Sequence, residues 1–413
     1  EDLSHGANIG AAHTDAPRLD IKPNPLYEDA ELAYLKTHHY GGIRKYQWVT
    51  VPLELHGKVV RRDGSECIVF NSNDYLGMTH EQEVQEAARD AVRWGTGSGG
   101  ARLTSGAVFE LSDLEKELAS FKHAEDAVIF NTGYMTNLGV LYALGGKDDI
   151  IFSDALNHAS IVDGCRISRA RTVIYPHSDM AALEELLKNT PVSGQRFIVT
   201  DGVFSMDGDI APVPDLIRLK QKYNACLIVD DAHGVGVIGE TGRGSAEHFY
   251  VSGIDIQVGT LSKALGAEGG YAAASREICD YLRNVSRPFI FSTSISAVTG
   301  MTALAALRLL EREPERFVGR LMENTRYMKE KLAEAGIPVE PSDTPIIPII
   351  LGEEEKTLAY ASRCIEEGIL LSAIRPPTVP AGTSRIRLTV TAAHTKEELD
   401  RAVAVMKAHF PLP

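Results

Sequence analysis

One lysine stands among small and hydroxylated residues in the run 259–266, which reads GTLSKALG. A solvated surface lysine usually has charged neighbours, whereas the glycines here keep the backbone slim enough for another group to approach closely. The pattern is typical of a lysine that forms a Schiff base, with Thr260 and Ser262 placed to bond a phosphate. A lysine at a tight turn is the alternative, and the run alone does not separate the two readings.

A second group of polar residues, Asp230, Asp231 and His233, follows the apolar run Cys226–Val229. Side chains alternate along a strand, so only one of the two carboxylates need face a site. An aspartate in this place can pair with the protonated nitrogen of a pyridine ring, and His233 can bond a phenolic oxygen on that ring. A metal site is the alternative, but it requires ligands beyond Asp230, Asp231 and His233.

Three weaker signals accompany these two. His158 follows an apolar run and can stack on an aromatic ring, although a lone histidine is more often an ordinary polar residue. Gly133 and Tyr134 open a predicted helix, whose free N–H groups and dipole favour an anion, although a tight turn also explains the glycine. Arg385 and Arg387 share one face of a predicted strand, so one of them can fork onto a carboxylate unless the face is simply exposed.

The elements that must position these residues alternate between short apolar runs and helical stretches. This alternation predicts a mainly parallel sheet covered by helices on both faces. Ligands of such sheets lie beyond the carboxyl ends of the strands, where the residues above are found. The apolar runs are Ala127–Phe130, Ile150–Phe152, Thr172–Tyr175, Phe197–Thr200, Cys226–Val229 and Ile256–Gly259.

The pattern changes near Ser296, after which three strands are predicted in a smaller α+β domain, at Ile346–Leu351, Ile369–Ile374 and Arg385–Val390. We therefore expect an N-terminal arm over residues 1–60 that packs with the small domain, a large domain over 61–295 and the small C-terminal domain over 296–413. At the front, the apolar pattern predicts a helix over Tyr27–His38 and a hairpin over Val59–Phe70.

A glycine pattern, G-x-G-x-x-G, occurs at Gly95, Gly97 and Gly100. A dinucleotide fingerprint must follow a strand and open a helix, whereas this one follows a predicted helix and leads into more loop. We therefore reject a nicotinamide site and expect a flexible loop near a ligand or a partner subunit.

Composition excludes several classes of function. The 413 residues carry a net charge of −14, which argues against nucleic-acid binding through a basic face. The 5 cysteines form no C-x-x-C pair, so we expect reduced thiols and a cytoplasmic location. No apolar run approaches the length that spans a bilayer, and residues 1–25 contain no signal-peptide core. Because the first residue is Glu1 and not methionine, we expect a processed or excised chain.

Together the motifs resemble those of the α-oxoamine synthases, which are pyridoxal 5′-phosphate (PLP) enzymes of fold type I. The resemblance implies a large domain with a mainly parallel mixed sheet flanked by helices, and a smaller C-terminal α+β domain. It covers the chain from about Arg44 to the end. The motifs that carry it are Asn73–Gly77, Gly97–Gly100, Asn157–Ser160, Asp201–Asp209, Asp230–Gly234 and Gly259–Lys263.

The resemblance also implies a role for each candidate residue. The cofactor would be attached to Lys263, stacked by His158 and paired through its pyridine nitrogen with Asp230. Other residues would contact the phenolic oxygen (His233, Ser205), the phosphate (Gly133, Tyr134, Thr260 and, from a partner subunit, Thr293), the amino-acid carboxylate (Arg387) and the substrates (Asn73, and Arg44 and Thr378 for the acyl chain).

The implied reaction is a decarboxylative condensation of a small amino acid with an acyl thioester, giving an α-amino ketone. L-Alanine and pimeloyl-CoA, or a pimeloyl-carrier protein, are favoured because of the segment Ile374–Thr383. Glycine with acetyl-CoA and serine with palmitoyl-CoA are the alternatives within the family. An aminotransferase and a non-catalytic scaffold are the alternatives outside it. A homodimer with shared active sites is expected.

Overall fold

A computed structural model of the chain describes the backbone of residues 18–29 and 32–40, and backbone and side chains of residues 66–410. The chain divides into two compact units, Glu1–Glu54 and Leu55–Pro413. In the first unit, β1 (Arg18–Asp29) and β2 (Leu32–Tyr40) pair as antiparallel strands. The helix predicted over Tyr27–His38 is therefore wrong. Its few apolar residues fit a helical period, but the backbone places them in register across a hairpin.

The second unit contains a seven-stranded sheet with the order β4-β10-β9-β8-β7-β5-β6. Neighbouring strands from β6 to β9 run parallel, while β10 runs antiparallel to both β9 and β4. All six predicted apolar runs form strands of this sheet. The strands of the sheet are β4 (Asp126–Phe130), β5 (Ile150–Asp154), β6 (Arg171–Tyr175), β7 (Arg196–Asp201), β8 (Ala225–Asp230), β9 (Ile256–Thr260) and β10 (Gly270–Ala274).

The predicted smaller C-terminal sheet is present, with the antiparallel order β11-β14-β13. A short parallel pair joins Ile68–Val69 to Ile369–Leu370. The first strand of the hairpin predicted over Val59–Phe70 lies outside the described residues. The remaining strands are β3 (Ile68–Val69), β11 (Ile346–Gly352), β12 (Ile369–Leu370), β13 (Ser372–Ile374) and β14 (Ser384–Thr389).

Helices separate the parallel strands and cover both faces of the large sheet, so β5, β9 and β10 are buried over their whole length. Short 3-10 turns at Met78–His80 and Val92–Trp94 and a π-turn at Glu315–Gly319 also occur. In the described residues the α-helices, α1 to α13 in chain order, are Gln82–Ala91, Phe109–Phe121, Gly133–Leu144, Ala159–Ile167, Met180–Asn189, Val213–Tyr223, Ser245–His248, Arg276–Val285, Arg287–Ile290, Ala297–Arg312, Arg320–Glu334, Glu354–Glu366 and Lys396–His409.

A buried ion pair ties the end of α2 to the loop after β8. Lys122 Nζ lies 3.0 Å from Asp231 Oδ2, and the two side chains are 1% and 0% exposed. The same carboxylate accepts hydrogen bonds from the N–H and the hydroxyl of Ser245. Asp231 therefore points away from Asp230, as expected for neighbours on a strand, and anchors the loop that carries His233.

Removing one partner of a buried ion pair leaves an uncompensated charge. We expect Lys122→Ala to lower the free energy of unfolding by about 3–5 kcal/mol. Lys116→Ala is the matched control because its pair with Asp113 is exposed, at 76% and 53%, and little change is expected there. Urea denaturation of both variants measures the difference, and equal losses would contradict the assignment.

Candidate active site

Four parallel strands end side by side and deliver the candidate residues to one edge of the large sheet. Each of these strands terminates in a polar residue, and a loop follows that carries a second candidate. The strand ends are Asp154, Asp201, Asp230 and Thr260, and the loop residues are His158, Ser205, His233 and Lys263.

A chain of hydrogen bonds joins Asp230 to His158. The Asn137 side-chain amide donates to Asp230 Oδ2 at 2.6 Å and lies 2.9 Å from Ser160 Oγ. Ser160 Oγ in turn lies 2.7 Å from His158 Nδ1. The other Asp230 oxygen accepts the N–H of Ala232 at 2.9 Å. Asp230 is only 5% exposed, so these donors are what fix the direction of its carboxylate.

Asp201 is a second buried carboxylate, and the sheet register places it beside Asp230. Its Oδ2 accepts the backbone N–H of His158 at 2.8 Å, which fixes the start of α4. Its own N–H donates to Asn157 Oδ1 at 2.9 Å. Burial, and then the charge of Asp230, raise the pKa of Asp201 well above the ordinary carboxyl value.

The two site histidines are held in their neutral form. Burial lowers the pKa of His158, and the nearby charge of Lys263 lowers it further. Burial likewise lowers the pKa of His233, with smaller contributions from Lys263 and Arg387. Lys263 is therefore close enough to both His158 and His233 for its charge to lower the pKa of each. A neutral ring can stack or accept a hydrogen bond without adding charge to the site.

Arg387 lies on β14 and brings the small sheet to the site. Its guanidinium donates to Asn73 Oδ1 at 3.1 Å and to the carbonyl of Ser205. The Tyr75 hydroxyl lies 3.4 Å from the same guanidinium and 2.7 Å from Nδ1 of His233. The structure therefore brings together the predicted residues Arg387, Asn73, Ser205 and His233, with Tyr75 at their centre.

Gly133 begins α3, whose first N–H groups have no partner within the helix. An added Cβ on Gly133 would lie 3.1 Å from Thr260 Cβ, and one on Gly270 would lie 2.6 Å from the Gly133 nitrogen. A Cβ on Gly270 would clash, and one on Gly133 would be tightly packed, so the backbones approach closely here. The Thr260 hydroxyl bonds the Gly269 carbonyl at 2.9 Å and contacts Ser262. Gly133 and Thr260 thus lie together, as a phosphate site requires.

The Tyr134 ring packs edge-on with the His158 ring. The two rings are T-shaped, with centroids 6.4 Å apart, and the Tyr134 hydroxyl donates to Asp163. Burial and this bond to Asp163 raise the pKa of Tyr134. The phenol therefore stays protonated and acts as a fixed neutral donor.

The segment around Thr293 lies against the glycine-rich loop. The N–H of Ser294 donates to the Gly100 carbonyl at 2.9 Å, and Ser98 Oγ donates to the Ser294 carbonyl at 2.7 Å. Asn131 donates to the carbonyl of Thr293, whose side chain is exposed. Loop Gly95–Gly100 and Thr293 thus form one surface.

Arg44, one of the two residues predicted to contact the acyl chain, lies outside the described residues. The other, Thr378, is not part of this cluster. Thr378 is exposed, and its N–H bonds the carbonyl of Arg375 at 3.0 Å within the segment before β14. Their assigned contacts with the acyl chain stay predictions.

Sequence reasoning missed Tyr75, Asn137 and the role of Asp201. Tyr75 and Asp201 lie inside motifs that the sequence singled out, so their positions were visible but their partners were not. Asn137 had one usable signal, since a buried amide one turn into a helix after a strand requires partners. Its partners are 93 and 23 residues away in sequence.

The residues present fit PLP. A helix N-terminus packed closely on Thr260, a half-buried lysine, a buried aspartate and two neutral histidines are found at the carboxyl ends of the strands. Phosphate, Schiff-base, pyridine and ring-stacking contacts each have a matching group here. Within residues 66–410, no three His, Cys, Asp or Glu side chains are arranged to hold a metal ion. The helices of the same part of the chain are too short or too polar to cross a bilayer.

The fold and this donor set define a class of protein, and sequence comparison gives its family. The model of the aminotransferase class I and II family matches residues 65–406. The chain also shares 50% identity over 353 residues with the 8-amino-7-oxononanoate synthase of Geobacter sulfurreducens, covering 85% of this chain and 90% of that protein. The chain therefore belongs to the α-oxoamine synthases within the aminotransferase class I and II family, whose cofactor is PLP.

Solved structures agree. A structure of serine palmitoyltransferase (SPT) with PLP bound as an internal aldimine superposes with a TM-score of 0.82 at 32% identity, covering 85% of this chain and 89% of that chain. An 8-amino-7-oxononanoate synthase from Francisella tularensis gives a TM-score of 0.71 at 28% identity, covering 83% of this chain and 97% of that chain.

A second family model matches the front of the chain. The aminopeptidase I zinc metalloprotease (M18) model covers residues 2–74, which is too small a share to define the family of the chain. Arg44 falls within this stretch and before residue 65, where the aminotransferase match begins. The other candidate residues, from Asn73 to Arg387, all lie within the stretch that the aminotransferase model matches.

The Tyr75 hydroxyl orients His233, so Tyr75→Phe tests the geometry of the site. We expect this change to raise the dissociation constant for PLP by roughly tenfold, the effect of one lost buried hydrogen bond. Tyr360→Phe is the control, because that buried hydroxyl bonds the Met406 carbonyl at 3.0 Å in the small domain. Absorbance titration with PLP measures both, and an unchanged constant for Tyr75→Phe would contradict the arrangement.

Proposed function

We propose that the chain catalyses the decarboxylative condensation of L-alanine with a pimeloyl thioester, giving 8-amino-7-oxononanoate, a step of biotin synthesis. The observation that carries the proposal is the gathering of Lys263, Asp230, His158, His233 and Arg387 at one sheet edge, in a chain 50% identical to a named 8-amino-7-oxononanoate synthase. The acyl donor is pimeloyl-CoA or a pimeloyl-carrier protein.

Each residue has a definite task in this proposal. When bound, PLP supplies a pyridine ring that takes up the electron pair released at the amino-acid Cα. Asp230 would pair with the pyridine nitrogen, and His158 would stack on the ring. Lys263 Nζ accepts the Cα proton. The Cα then attacks the thioester carbonyl, and the thiolate leaves and takes a proton from solvent. Loss of the carboxylate as CO2 returns an electron pair to Cα, which takes its proton back from Lys263.

The remaining residues orient the reactants. His233 and Ser205 bond the phenolic oxygen, while Gly133, Tyr134 and Thr260 hold the phosphate. Arg387 takes the amino-acid carboxylate, and it is suited to this because its guanidinium is buried beside Asn73 and, within the described residues, is not paired with an acidic side chain. Arg44 and Thr378 are proposed for the acyl chain.

One observation favours a second substrate pair. The chain superposes on SPT with a TM-score of 0.82, against 0.71 for the Francisella tularensis synthase. Serine with a palmitoyl thioester is therefore the second candidate. Glycine with acetyl-CoA differs from alanine by one methyl on the amino acid, a discrimination of only about 1–3 kcal/mol.

A homodimer with shared sites is part of the proposal. Two large apolar side chains near these segments in sequence are exposed. Phe291, two residues before Thr293, is 64% exposed, and Phe109, at the start of α2, is 89% exposed. Burying them against a second copy would remove this apolar area from water and bring Thr293 to the partner's phosphate.

The division of the chain into an arm (1–60), a large domain (61–295) and a small domain (296–413) is proposed as well. The large sheet lies within residues 126–274 and the small sheet within 346–389, which supports a boundary between them. A cytoplasmic location is proposed because all five cysteines are free thiols.

A matrix of alanine, glycine and serine against acetyl, pimeloyl and palmitoyl thioesters, read by product mass and thiol release, tests the reaction. We expect alanine with the pimeloyl thioester to react fastest, and Lys263→Ala to abolish both turnover and the visible absorbance of bound PLP. Preference for another pair would refute the substrates only. Keto-acid release without thiol release would instead indicate an aminotransferase, and full turnover by Lys263→Ala would refute the mechanism.

Light scattering tests the dimer. We expect the unaltered chain to have twice the mass of one chain, and Phe109→Glu with Phe291→Glu to give an inactive monomer, because two charges cannot be buried in an apolar interface. Tyr250→Glu is the control, since Tyr250 is 84% exposed elsewhere and should leave the dimer intact. An active monomer would overturn the shared site.

A further inference from the structure

His177 lies outside the residues assigned above, in the turn between β6 and α5. Its Nδ1 is 2.9 Å from Asp154 Oδ1, and its Nε2 is 2.9 Å from Asp209 Oδ2. The ring also packs edge-on against Phe204, with centroids 4.4 Å apart. Both ring nitrogens are therefore committed to carboxylates that come from two different loops.

This geometry requires a doubly protonated ring. A neutral imidazole has a single N–H and can donate to one carboxylate, whereas an imidazolium donates to two. Burial lowers the pKa of His177, but the hydrogen bonds and charges of Asp154 and Asp209 outweigh it and raise the pKa to about 10. Asp154 and Asp209 are the charged groups that act on this ring within the described residues.

The first carboxylate belongs to the loop that carries His158. Asp154 ends β5, and its Oδ1 also accepts the N–H of Leu156 at 2.9 Å. Its Oδ2 accepts the N–H of Ser178 at 2.8 Å. Asp154 therefore shapes the turn that leads directly to His158.

The second carboxylate belongs to the loop that carries Ser205. The Asp209 carbonyl accepts the N–H of Phe204 at 2.9 Å, and the N–H of Gly208 bonds the Phe204 carbonyl at 2.8 Å. These two bonds close the loop tightly around Ser205. A displacement of the Asp209 side chain therefore shifts Ser205.

We propose that His177 is a positioning residue, whose imidazolium bridge between Asp154 and Asp209 sets the distance between His158, which would stack on the cofactor ring, and Ser205, which would bond its phenolic oxygen. The inference rests on the proposed PLP site and adds a residue to it. His177 itself contacts neither cofactor nor substrate in this account. It acts by joining these two loops, and among residues 66–410 no other cationic side chain pairs with either Asp154 or Asp209.

The bridge has a defined pH dependence. Because the pKa of His177 is raised, its contribution to folding stability is complete below the ordinary histidine pKa of about 6.5, declines above it and is lost above about 10. In the folded protein the ring stays charged until pH approaches 10. PLP binding should therefore depend on His177 at pH 8 and become independent of it at pH 10.5.

The test compares PLP dissociation constants of the full-length chain and two variants at pH 8 and pH 10.5, by absorbance titration. We expect His177→Gln to weaken binding about tenfold at pH 8, the effect of a lost charge-assisted hydrogen bond, and hardly at all at pH 10.5. Asp209→Asn removes one of the two carboxylates that raise the pKa of His177. As pH rises, PLP binding by this variant should therefore weaken at a lower pH than PLP binding by the unaltered chain. His409→Gln is the control, since His409 pairs with a single carboxylate, Glu367, in the small domain.

Several outcomes would overturn the proposal. Unchanged binding by His177→Gln at pH 8 would do so, and so would an equal loss at both pH values, which indicates a structural role alone. If His177→Gln fails to fold, an Asp209→Asn profile identical to that of the unaltered chain decides against the bridge. Failure of the unaltered chain to bind PLP would refute the proposed function and this inference together, whereas normal binding with unaffected variants refutes the bridge alone.

Discussion

Two buried carboxylates at adjacent strand ends, Asp201 and Asp230, form the constraint on which the site depends. They are paired in register across β7 and β8 and are 6% and 5% exposed. Burial and the charge of Asp230 raise the pKa of Asp201. Each carboxylate therefore requires donors of its own. The N–H of His158 donates a hydrogen bond to Asp201, and the Asn137 side chain donates one to Asp230. These two hydrogen bonds fix the N-terminal parts of α3 and α4.

The same electrostatics separates three histidines by environment. His158 and His233 lie near Lys263 in a buried region, and the pKa of each is lowered. His177 lies between two carboxylates, and its pKa is raised to about 10. The residue type is identical, so local charge decides whether a ring is a neutral stacking surface or a cationic bridge. The neutral rings are the kind that the proposed PLP site requires, and the cationic ring is the kind that the proposed bridge requires.

The parallel sheet and its carboxyl-end site were predictable because short apolar runs that alternate with helical stretches, and the polar residues that follow those runs, are local signals. Strand β10 was not, since Gly270–Ala274 reads GYAAA and lacks the branched residues typical of strands. The error over Tyr27–His38 has a different origin, because a short segment of mixed residues fits the period of a helix as well as that of a strand. Tyr75 and Asn137 could not be given roles, since their partners are brought close only by the fold. Arg44 was assigned by resemblance in a stretch that the aminotransferase model does not cover.

Loop 205–209 shows how two sheets can share one site. Most of the side chains that hold it lie on or next to the small sheet. Arg387 bonds the Ser205 carbonyl, Arg385 pairs with Asp207, and Thr344 bonds the Gly208 carbonyl at 2.8 Å. His177 holds Asp209 from the large sheet. Because Arg387 on the small sheet bonds the Ser205 carbonyl, any displacement of the small sheet moves Ser205 with it. Arg387 is also the proposed carboxylate site. The residue proposed for the amino acid and the residue proposed for the phenolic oxygen are therefore kept in register by a single loop.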